Sequence, residues 1–334
     1  MMKSIYSGLG LFTTAVLAAS RTSAPSGCVT VSQSGSGDFG SVQEAVDSDP
    51  ACIFIEPGTY EEQVLITARS ASQFSIYGST TDDTSFADNT VTLTGGLSQD
   101  DGLSNDETAT LRVKTPGFRL YNVNVENTRG EGSQAVALSA YSDSGFYGCA
   151  FFGFQDTLLA NEGYQIYLDT QIIGATDFIF GQRAVAWFER VDVRCVDKSI
   201  GYVTAHGRDE DNESIYVFDH SSVSGVEGSS APAGAYYLGR PWRSWAQVVF
   251  QRTEMSEVIN GAGWRVWNDD QPNTDNVFYG EFENTGAGSE GDRADFATAM
   301  DAAVVLGDVL VGYEGAEWFD ASYYAGTGAD VGES

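Results

Sequence analysis

Two acidic and two amide side chains recur in this 334-residue sequence at the same interval. Asp156 in the segment GFQDTL and Asp177 in DFIFG lie 21 residues apart, and so do Gln134 and Gln155. If the chain repeats with this period, each pair lies on neighbouring turns, about 4.8 Å apart. Two carboxyl groups this close do not both ionise easily, because the first charge raises the pKa of the second group. Such a pair supplies one carboxylate and one protonated acid, as acid/base catalysis requires.

The two glutamines indicate which reaction the acids would serve. Side-chain amides donate hydrogen bonds without titrating, so two converging amides can stabilise the oxyanion that forms when an acyl carbon is attacked. A retaining glycosidase also pairs two carboxyl groups, but its transition state is cationic. A serine esterase is disfavoured, because the chain has no G-x-S-x-G motif and only two histidines. The four residues favour ester hydrolysis, although either aspartate alone could be an ordinary turn residue.

The segment YYLGRPWRSW, residues 236–245, combines a cation with aromatic rings. Arg240 could hold a carboxylate through two parallel hydrogen bonds and keep it ionised. Trp242 could present a flat apolar face to a sugar ring. A surface turn with a buried tryptophan would explain the same residues equally well, so this segment by itself does not indicate a site.

The elements that would position these residues follow from a repeat. Between about residues 118 and 195, the segments FRLYNVNVENT, GFYGCAFFGF, YQIYLDTQIIG and AWFERVDVRC indicate consecutive strands. Phe146, Tyr167 and Phe188 also fall at steps of 21 residues. This period in strand-rich sequence predicts an all-β fold, a parallel β-helix, whereas an antiparallel sandwich would need no constant step. The segment SVQEAVDS, residues 41–48, predicts a short helix that caps the N-terminal end.

The N-terminus resembles a secretory signal peptide over residues 1–20. Lys3 precedes a short, mostly apolar run that ends in small residues, and cleavage is expected between positions 18 and 24. We therefore expect a secreted, extracellular protein with one β-helix domain over residues 25–325 and a loose polar tail over residues 326–334. No later stretch is long and apolar enough to span a membrane.

Four cysteines and one sequon are compatible with export. Cys28 and Cys52 each begin a predicted strand and could form a disulfide bond. Cys149 and Cys195 are 46 residues apart, and the sequence leaves the pairing of all four open. The segment NES at Asn212 is the only N-glycosylation sequon.

The charge and the histidines exclude several functions. The chain has 47 acids against 17 bases and a formal net charge of −30, so nucleic acid and anionic membranes are poor partners. The acidity also fits simple solubility or an acidic medium. The cysteines lack metal-site spacing, and His206 and His220 are isolated, so we expect structural or surface histidines, no metal and no cofactor. A strongly charged solenoid is expected to be a monomer.

Five segments, in this order, closely resemble the pectin methylesterases: GTYEE at residues 58–62, QAVAL at 134–138, GFQDTL, DFIFG and LGRPW. The segments GSGDFGSVQEAVD, YVTAHGR and GWRVW are similar to the family as well, so the resemblance covers about residues 29–280. It implies a right-handed parallel β-helix that hydrolyses the methyl esters of homogalacturonan, the pectin backbone, without a cofactor. The chain is similar to the compact fungal type without an inhibitory pro-region.

The resemblance also implies a role for each matching residue. The implied roles are nucleophile for Asp177, general acid and then base for Asp156, oxyanion donors for Gln155 and Gln134, orientation of Asp177 for Arg240, and substrate contact for Trp242 and Phe180. One departure is His206 within YVTAHGR, where the family often has glutamine. Two other functions stay open: a pectin-degrading glycosidase or lyase on a similar β-helix, and a catalytically silent β-helix that binds polysaccharide.

Overall fold

The computed structural model describes residues 19–326 and confirms the predicted parallel β-helix. The strands are β1 Val29–Val31, β2 Cys52–Ile55, β3 Gly58–Glu61, β4 Val64–Ile66, β5 Phe74–Gly78, β6 Val91–Gly95, β7 Leu111–Val113, β8 Phe118–Tyr121, β9 Asn124–Asn127, β10 Leu138–Ala140, β11 Ser144–Tyr147, β12 Ala150–Phe152, β13 Leu158–Ala160, β14 Tyr164–Leu168, β15 Gln171–Gly174, β16 Thr176–Gly181, β17 Val185–Glu189, β18 Asp192–Cys195, β19 Gly201–His206, β20 Ile215–Asp219, β21 Ser222–Gly225, β22 Tyr236–Gly239, β23 Gln247–Gln251, β24 Glu254–Met255, β25 Phe278–Phe282 and β26 Ala297–Ala299. The helices are α1 Val42–Asp47, α2 Asn105–Thr108, α3 Leu306–Val309 and α4 Ala321–Gly326, with 3-10 turns at Gln99–Asp101, Ala287–Ser289 and Tyr313–Gly315.

Three parallel sheets run along the molecule, and each turn of the chain adds strands to them. The long sheet has the order β1-β2-β5-β8-β11-β14-β17-β20-β23-β25-β26, the back sheet β24-β21-β18-β15-β12-β9-β6-β3, and the front sheet β22-β19-β16-β13-β10-β7-β4. Neighbouring strands in a sheet therefore belong to successive coils.

The predicted period of 21 residues is the register of the long sheet from β11 to β17. Phe146 is paired with Tyr167, and Tyr167 with Phe188. Their rings stack inside the solenoid with centroids 4.8 and 4.6 Å apart, and Phe218 and Phe250 extend the stack at 4.3 Å each. The coils before β11 and after β17 contain longer loops, so the fixed period disappears from the sequence there, while the stack continues into the later coils.

Each segment predicted as one strand folds as two, and this is a correction to the sequence interpretation. A single residue with positive φ turns the chain from the long sheet to the back sheet in each coil. These residues are Asn122 (φ 52°), Gly148 (57°), Asp169 (51°) and Arg190 (51°). The left-handed conformation redirects the backbone at one residue, so no cluster of turn-forming residues marks the bend in the sequence.

The predicted N-terminal cap is helix α1. The Ser41 side chain accepts a hydrogen bond from the Glu44 backbone N–H, which satisfies one of the free donors at the start of the helix. Val42, Ala45 and Val46 are buried beneath it. The helix thus covers apolar surface at the open end of the solenoid.

The disulfide that the sequence left open joins Cys28 to Cys52. Cys28 immediately precedes β1 and Cys52 begins β2, and these two strands are neighbours in the long sheet. Cys149 and Cys195 are free and buried. Burial raises the pKa of the Cys149 thiol to about 12, so it stays protonated and behaves as a small apolar group.

The C-terminal segment was not predicted to leave the solenoid. The last strand, β26, ends at Ala299, and the segment from α3 to α4 packs on the outer face of the long sheet. The Tyr147 hydroxyl donates to the Trp318 carbonyl at 2.9 Å, and the Tyr121 hydroxyl donates to the Asp320 carboxylate at 2.7 Å. The segment covers apolar side chains that would otherwise face solvent.

The predicted signal segment and tail lie outside the described residues, apart from Ala19, Ser20 and Gly326. Within residues 19–326, no helix is long and apolar enough to cross a membrane. Arg21 is built into the fold, because its backbone exchanges two hydrogen bonds with Thr80 and its guanidinium donates to Asn122 at 2.9 Å.

Candidate active site

A cleft of about 340 Å³ lies on the front sheet, on the side away from the main core. The seven residues singled out in the sequence line it together: Gln134, Gln155, Asp156, Asp177, Phe180, Arg240 and Trp242. Gln99, Asn105, Ala205 and Trp267 complete the lining.

The two aspartates occupy equivalent positions on neighbouring coils. Gln155 is paired with Thr176, and the Asp156 backbone N–H donates to the Thr176 carbonyl at 3.1 Å. Asp156 and Asp177 both have positive φ, 64° and 51°. Adjacent strand residues normally point to opposite faces, but the left-handed conformation at Asp156 lets it and Gln155 line the same cleft. Aspartate adopts this conformation more readily than most side chains.

A β-bulge directs the second aspartate. Thr176 is paired with Tyr202 and Ile179 with Thr204, so two residues of β16 lie opposite one residue of β19. One of the two, Asp177, lines the cleft, and the other, Phe178, is buried in the core. Bulges re-aim side chains in this way and are frequent beside active sites.

Arg240 holds Asp177 in a fixed orientation. Its Nε donates to Asp177 Oδ1 at 2.8 Å and its Nη2 donates to Oδ2 at 2.7 Å. The guanidinium carbon lies 4.0 Å from the centre of the Tyr202 ring and 4.3 Å from that of Trp267. The two rings hold the guanidinium in position, and its two parallel N–H groups hold the Asp177 carboxylate in one orientation.

The two carboxyl groups differ in their electrostatic surroundings. Burial, followed by the charge of Asp177, raises the pKa of Asp156 well above its usual range. Burial also raises the pKa of Asp177, but the hydrogen bonds and positive charge of Arg240 oppose this effect. A single proton shared by the pair therefore resides on Asp156 and leaves Asp177 ionised.

The two glutamines present free amide groups to the cleft. The Ala135 backbone N–H donates to the Gln155 carbonyl at 3.1 Å, which places Gln134 and Gln155 on neighbouring coils. Among residues 19–326, neither side-chain amide has a hydrogen-bond partner. Both NH₂ groups are thus available to an oxygen atom that enters the cleft.

Two lining residues that sequence reasoning missed connect the acid to the amides. Asn105 Nδ2 donates to Asp156 Oδ2 at 3.4 Å, and Asn105 Oδ1 accepts from Gln99 Nε2 at 2.5 Å. The Gln99 backbone N–H also donates to the Gln134 carbonyl. Because Asp156 Oδ2 accepts this hydrogen bond, a proton on Asp156 is directed to Oδ1. The S-x-x-E pattern from Ser104 predicts a helix start but not its position beside the cleft.

Aromatic side chains form the apolar part of the cleft. Phe180 and Trp242, both singled out in the sequence, pack with ring centroids 6.3 Å apart. Trp267 lies in the segment GWRVW, to which sequence reasoning assigned no role, and it also missed Tyr202. Flat apolar faces beside polar groups suit a ligand with pyranose rings.

The structure places His206 in the core and His220 at an exposed position beside Glu189. His206 is fully buried, and its Nδ1 accepts a hydrogen bond from the Gln247 backbone N–H at 2.8 Å. Its Nε2 lies 2.9 Å from the Ser214 hydroxyl. Burial lowers the pKa of His206 to about 3, so the ring is neutral.

Within residues 19–326, one group of three side chains could offer ligands to a metal ion: Glu189, Asp219 and His220. The Asp219 carboxylate accepts two hydrogen bonds from Arg252, and Glu189 accepts one from Trp187 Nε1 at 2.9 Å. The carboxylate lone pairs already serve ion pairs and hydrogen bonds, so the group does not fit a metal ion.

Comparison with known proteins places the chain among enzymes of one kind. A sequence model of the pectinesterase family matches residues 28–300. The chain is 48% identical over 335 residues to a pectinesterase from Aspergillus aculeatus, covering 97% of this chain and 100% of that protein.

Solved structures agree with the sequence comparison. The crystal structure of a pectin methylesterase from Aspergillus niger is 40% identical with a TM-score of 0.84, covering 91% of this chain and 100% of that one. A pectin methylesterase solved in complex with a hexasaccharide is 22% identical with a TM-score of 0.72, covering 86% of this chain and 98% of the other, and it shares the fold.

Proposed function

The chain belongs to the pectinesterase family and is a carboxylic ester hydrolase acting on pectin, and we propose that the cleft on the front sheet is its active site. The reaction converts methylated pectin and water into pectate and methanol. The observation that carries the assignment is the pair of buried aspartates on neighbouring coils, one held by Arg240 and the other without a cationic partner among the described residues.

In the first half of the reaction, Asp177 attacks the carbonyl carbon of a methylated galacturonate unit. Arg240 keeps this nucleophile ionised and aims it. Negative charge develops on the carbonyl oxygen, where the free amides of Gln134 and Gln155 can donate. Asp156 transfers its proton to the methoxy oxygen as the carbon–oxygen bond breaks, and methanol leaves.

In the second half, the acyl group bound to Asp177 is a mixed anhydride that water can hydrolyse. Asp156 is now ionised and removes a proton from the attacking water molecule. The tetrahedral intermediate again places its oxyanion at the two glutamines. Its collapse releases the free galacturonate and restores Asp177 as a carboxylate and Asp156 as an acid, so no cofactor takes part.

The substrate is methyl-esterified homogalacturonan, and its rings would pack on the aromatic side chains of the cleft. Trp242 and Phe180 form one wall, and Trp267 lies beside Arg240. The related enzyme solved with a hexasaccharide supports an oligosaccharide ligand for this chain too. Apolar faces suit a methyl ester better than a charged carboxylate.

We also propose that the protein is secreted after cleavage between positions 18 and 21. The disulfide of Cys28 and Cys52 is compatible with an oxidising compartment. Cleavage beyond Arg21 would remove its hydrogen bonds to Thr80 and Asn122. N-terminal sequencing of the secreted protein tests this proposal, and a mature terminus beyond position 21 would refute it.

Glycosylation, domain extent and oligomeric state remain proposals with simple tests. Asn212 is half-buried, and its Oδ1 accepts from the Ser214 backbone N–H, while its Nδ2 has no partner among residues 19–326. We propose a glycan on this nitrogen, to be tested by mass spectrometry. We further propose one catalytic domain over residues 25–325 that is monomeric, to be tested by cooperative unfolding and light scattering.

One incubation distinguishes the proposed function from its alternatives. The protein is mixed with highly methylated pectin, and methanol, acidification and chain length are followed. An esterase releases methanol and acid at constant chain length. Shortened chains with new reducing ends would indicate a glycosidase, unsaturated sugars a lyase, and no change at all a binding protein.

A further inference from the structure

Nearly every cation of this acidic protein is paired. Residues 19–326 contain sixteen arginine and lysine side chains, and fourteen have an acidic oxygen within 4.0 Å. The two exceptions in this part of the chain are Arg243 and Arg265, and both are exposed. In a chain with 47 acids, cations that lack an internal partner are available to an external anion.

Neither unpaired arginine lines the active-site cleft, but each lies beside an aromatic ring that lines the cleft or connects to it. Arg243 follows Trp242, and its guanidinium carbon is 5.7 Å from the centre of that ring. Arg265 lies 5.6 Å from the ring centre of Tyr237, which stacks on Tyr202 with centroids 5.8 Å apart. The guanidinium of Arg240 in turn lies over the Tyr202 ring, and Arg240 binds the nucleophile Asp177. A continuous series of contacts thus joins Arg265 to the reacting centre.

The register places these residues along the path of a polymer. Thr176 is paired with Tyr202, and Tyr202 with Tyr237, so Tyr237 lies two coils beyond the bulge that carries Asp177. Two coils correspond to about 10 Å along the solenoid axis. A polysaccharide aligned with the axis would therefore place neighbouring sugar units beside Tyr237 and Arg265.

A separate groove toward the N-terminal coils has a different charge. It is lined by Glu61 of β3, Gly95 of β6, Glu62 and Ala109, and Glu61 has no cationic partner among the described residues. The exposed Asp269 and Asp270 follow Trp267, but neither lies within 4.0 Å of either unpaired guanidinium. Every described cation before the catalytic coils has an acidic partner, whereas the two available cations follow these coils.

We propose that Arg243 and Arg265 form a carboxylate-binding rim, which recognises de-esterified galacturonate units beside the reacting ester. The proposal rests on the proposed function. A guanidinium stacked on an aromatic ring keeps its in-plane N–H groups free, and two of them match a carboxylate. Only a unit that has lost its methyl group offers a carboxylate, so the rim selects esters that have a hydrolysed neighbour on this side.

Such selection has a consequence for the product. The net charge of −30 repels free pectate and favours its release, which predicts scattered hydrolysis. This repulsion is screened beyond about 10 Å at 0.1 M salt, whereas a contact between guanidinium and carboxylate is screened less. At moderate salt, the rim therefore favours successive reactions on adjacent units and blocks of free carboxylates.

The first test measures binding without catalysis. An unesterified oligogalacturonate is titrated into the wild-type protein and into Arg243→Gln, Arg265→Gln and the double variant, with tryptophan fluorescence of the cleft as the signal. We expect Kd to rise about threefold for each substitution and about tenfold for both at low salt. A double lysine variant, which keeps both charges, should recover part of the affinity.

Arg194→Gln on the back sheet is the matched control, because it also removes one positive charge but lies outside the cleft. Unchanged affinity in the double glutamine variant would overturn the proposal. So would an equal loss in Arg194→Gln, because net charge would then explain the effect.

The second test compares kcat/KM on randomly de-esterified and on fully methylated homogalacturonan. The ratio of the two values should fall about tenfold in the double glutamine variant, and an unchanged ratio would contradict the rim. Methanol release by the wild-type protein is measured first, and absence of esterase activity would refute the proposed function. The binding titration does not depend on catalysis, so it tests the carboxylate-binding rim independently.

Discussion

Replacement of Arg240 by glutamine should reveal how the two aspartates divide their roles. The substitution removes both hydrogen bonds to the buried Asp177, at 2.8 and 2.7 Å, together with the positive charge. Loss of one partner from a buried ion pair costs about 3–5 kcal/mol, because the other charge stays buried without compensation. The pKa of Asp177 rises accordingly, and the shared proton moves from Asp156 to Asp177.

The expected loss of activity follows from this shift. The active form, with Asp177 ionised and Asp156 protonated, contains as many protons as the inactive form in which the roles are exchanged. Raising the pH therefore does not restore the active form. A shift of about 3–5 kcal/mol lowers kcat/KM by about 10² to 10⁴, and the acid limb of the pH profile moves to higher pH.

The assay is methanol release from highly methylated pectin across the pH range, with kcat and KM determined separately. Arg240→Lys keeps the charge but not the fork and should lose less activity. Arg252→Gln is a matched control, since Arg252 forms a comparable two-bond pair with Asp219 away from the cleft and its loss should leave the pH profile unchanged. An Arg240→Gln enzyme whose acid limb stays at the wild-type position would refute the reasoning, however low its activity.

Three further outcomes are expected. Gln155→Ala should lower kcat by about 10² to 10³, the range for loss of one oxyanion donor, and wild-type turnover would remove Gln155 from the mechanism. Asn105→Ala removes the hydrogen bond that favours ionised Asp156, so the pKa of Asp156 should rise. The alkaline limb of the kcat/KM profile should then move to higher pH by about one pH unit or less. An alkaline limb that does not move would contradict this role of Asn105. The pKa of His220 is raised in the folded protein, mainly by the hydrogen bond to Glu189. The interaction therefore stabilises the fold fully below the pKa that His220 has in the unfolded chain. This stabilisation is lost as the pH rises through the pKa of His220 in the folded protein. The Tm difference between wild type and His220→Gln should thus be largest at acid pH, and a constant difference would count against this role.

The period of the chain allowed the fold to be predicted. Positions 146, 167 and 188 carry aromatic rings that stack directly, so sequence spacing and strand register coincide there. The same step predicted that Asp156 would lie beside Asp177. These predictions rely only on contacts between adjacent coils, which a fixed repeat specifies.

Features that depend on a single residue or on distant segments were not predictable in the same way. Nothing in the local sequence at Arg190 indicates a positive φ, so the bends were missed and pairs of strands were merged. The cover formed by the segment from α3 to α4 depends on contacts such as Tyr147 with Trp318, which lie 171 residues apart. Asn105 reaches Asp156 across 51 residues with no repeat to relate them.

The asymmetry of the catalytic pair has its origin outside the repeat. Equivalent positions on neighbouring coils give Asp156 and Asp177 the same left-handed backbone and similar burial, and two identical carboxyl groups would share a proton equally. The difference comes from a residue two coils away: Arg240 follows β22, bonds to Asp177 and lowers its pKa. The hydrogen bond from Asn105, which precedes β7, favours ionised Asp156 and has a smaller effect, so it opposes this difference without removing it. The position of each aspartate in the stack therefore determines which one is the nucleophile and which one is the acid.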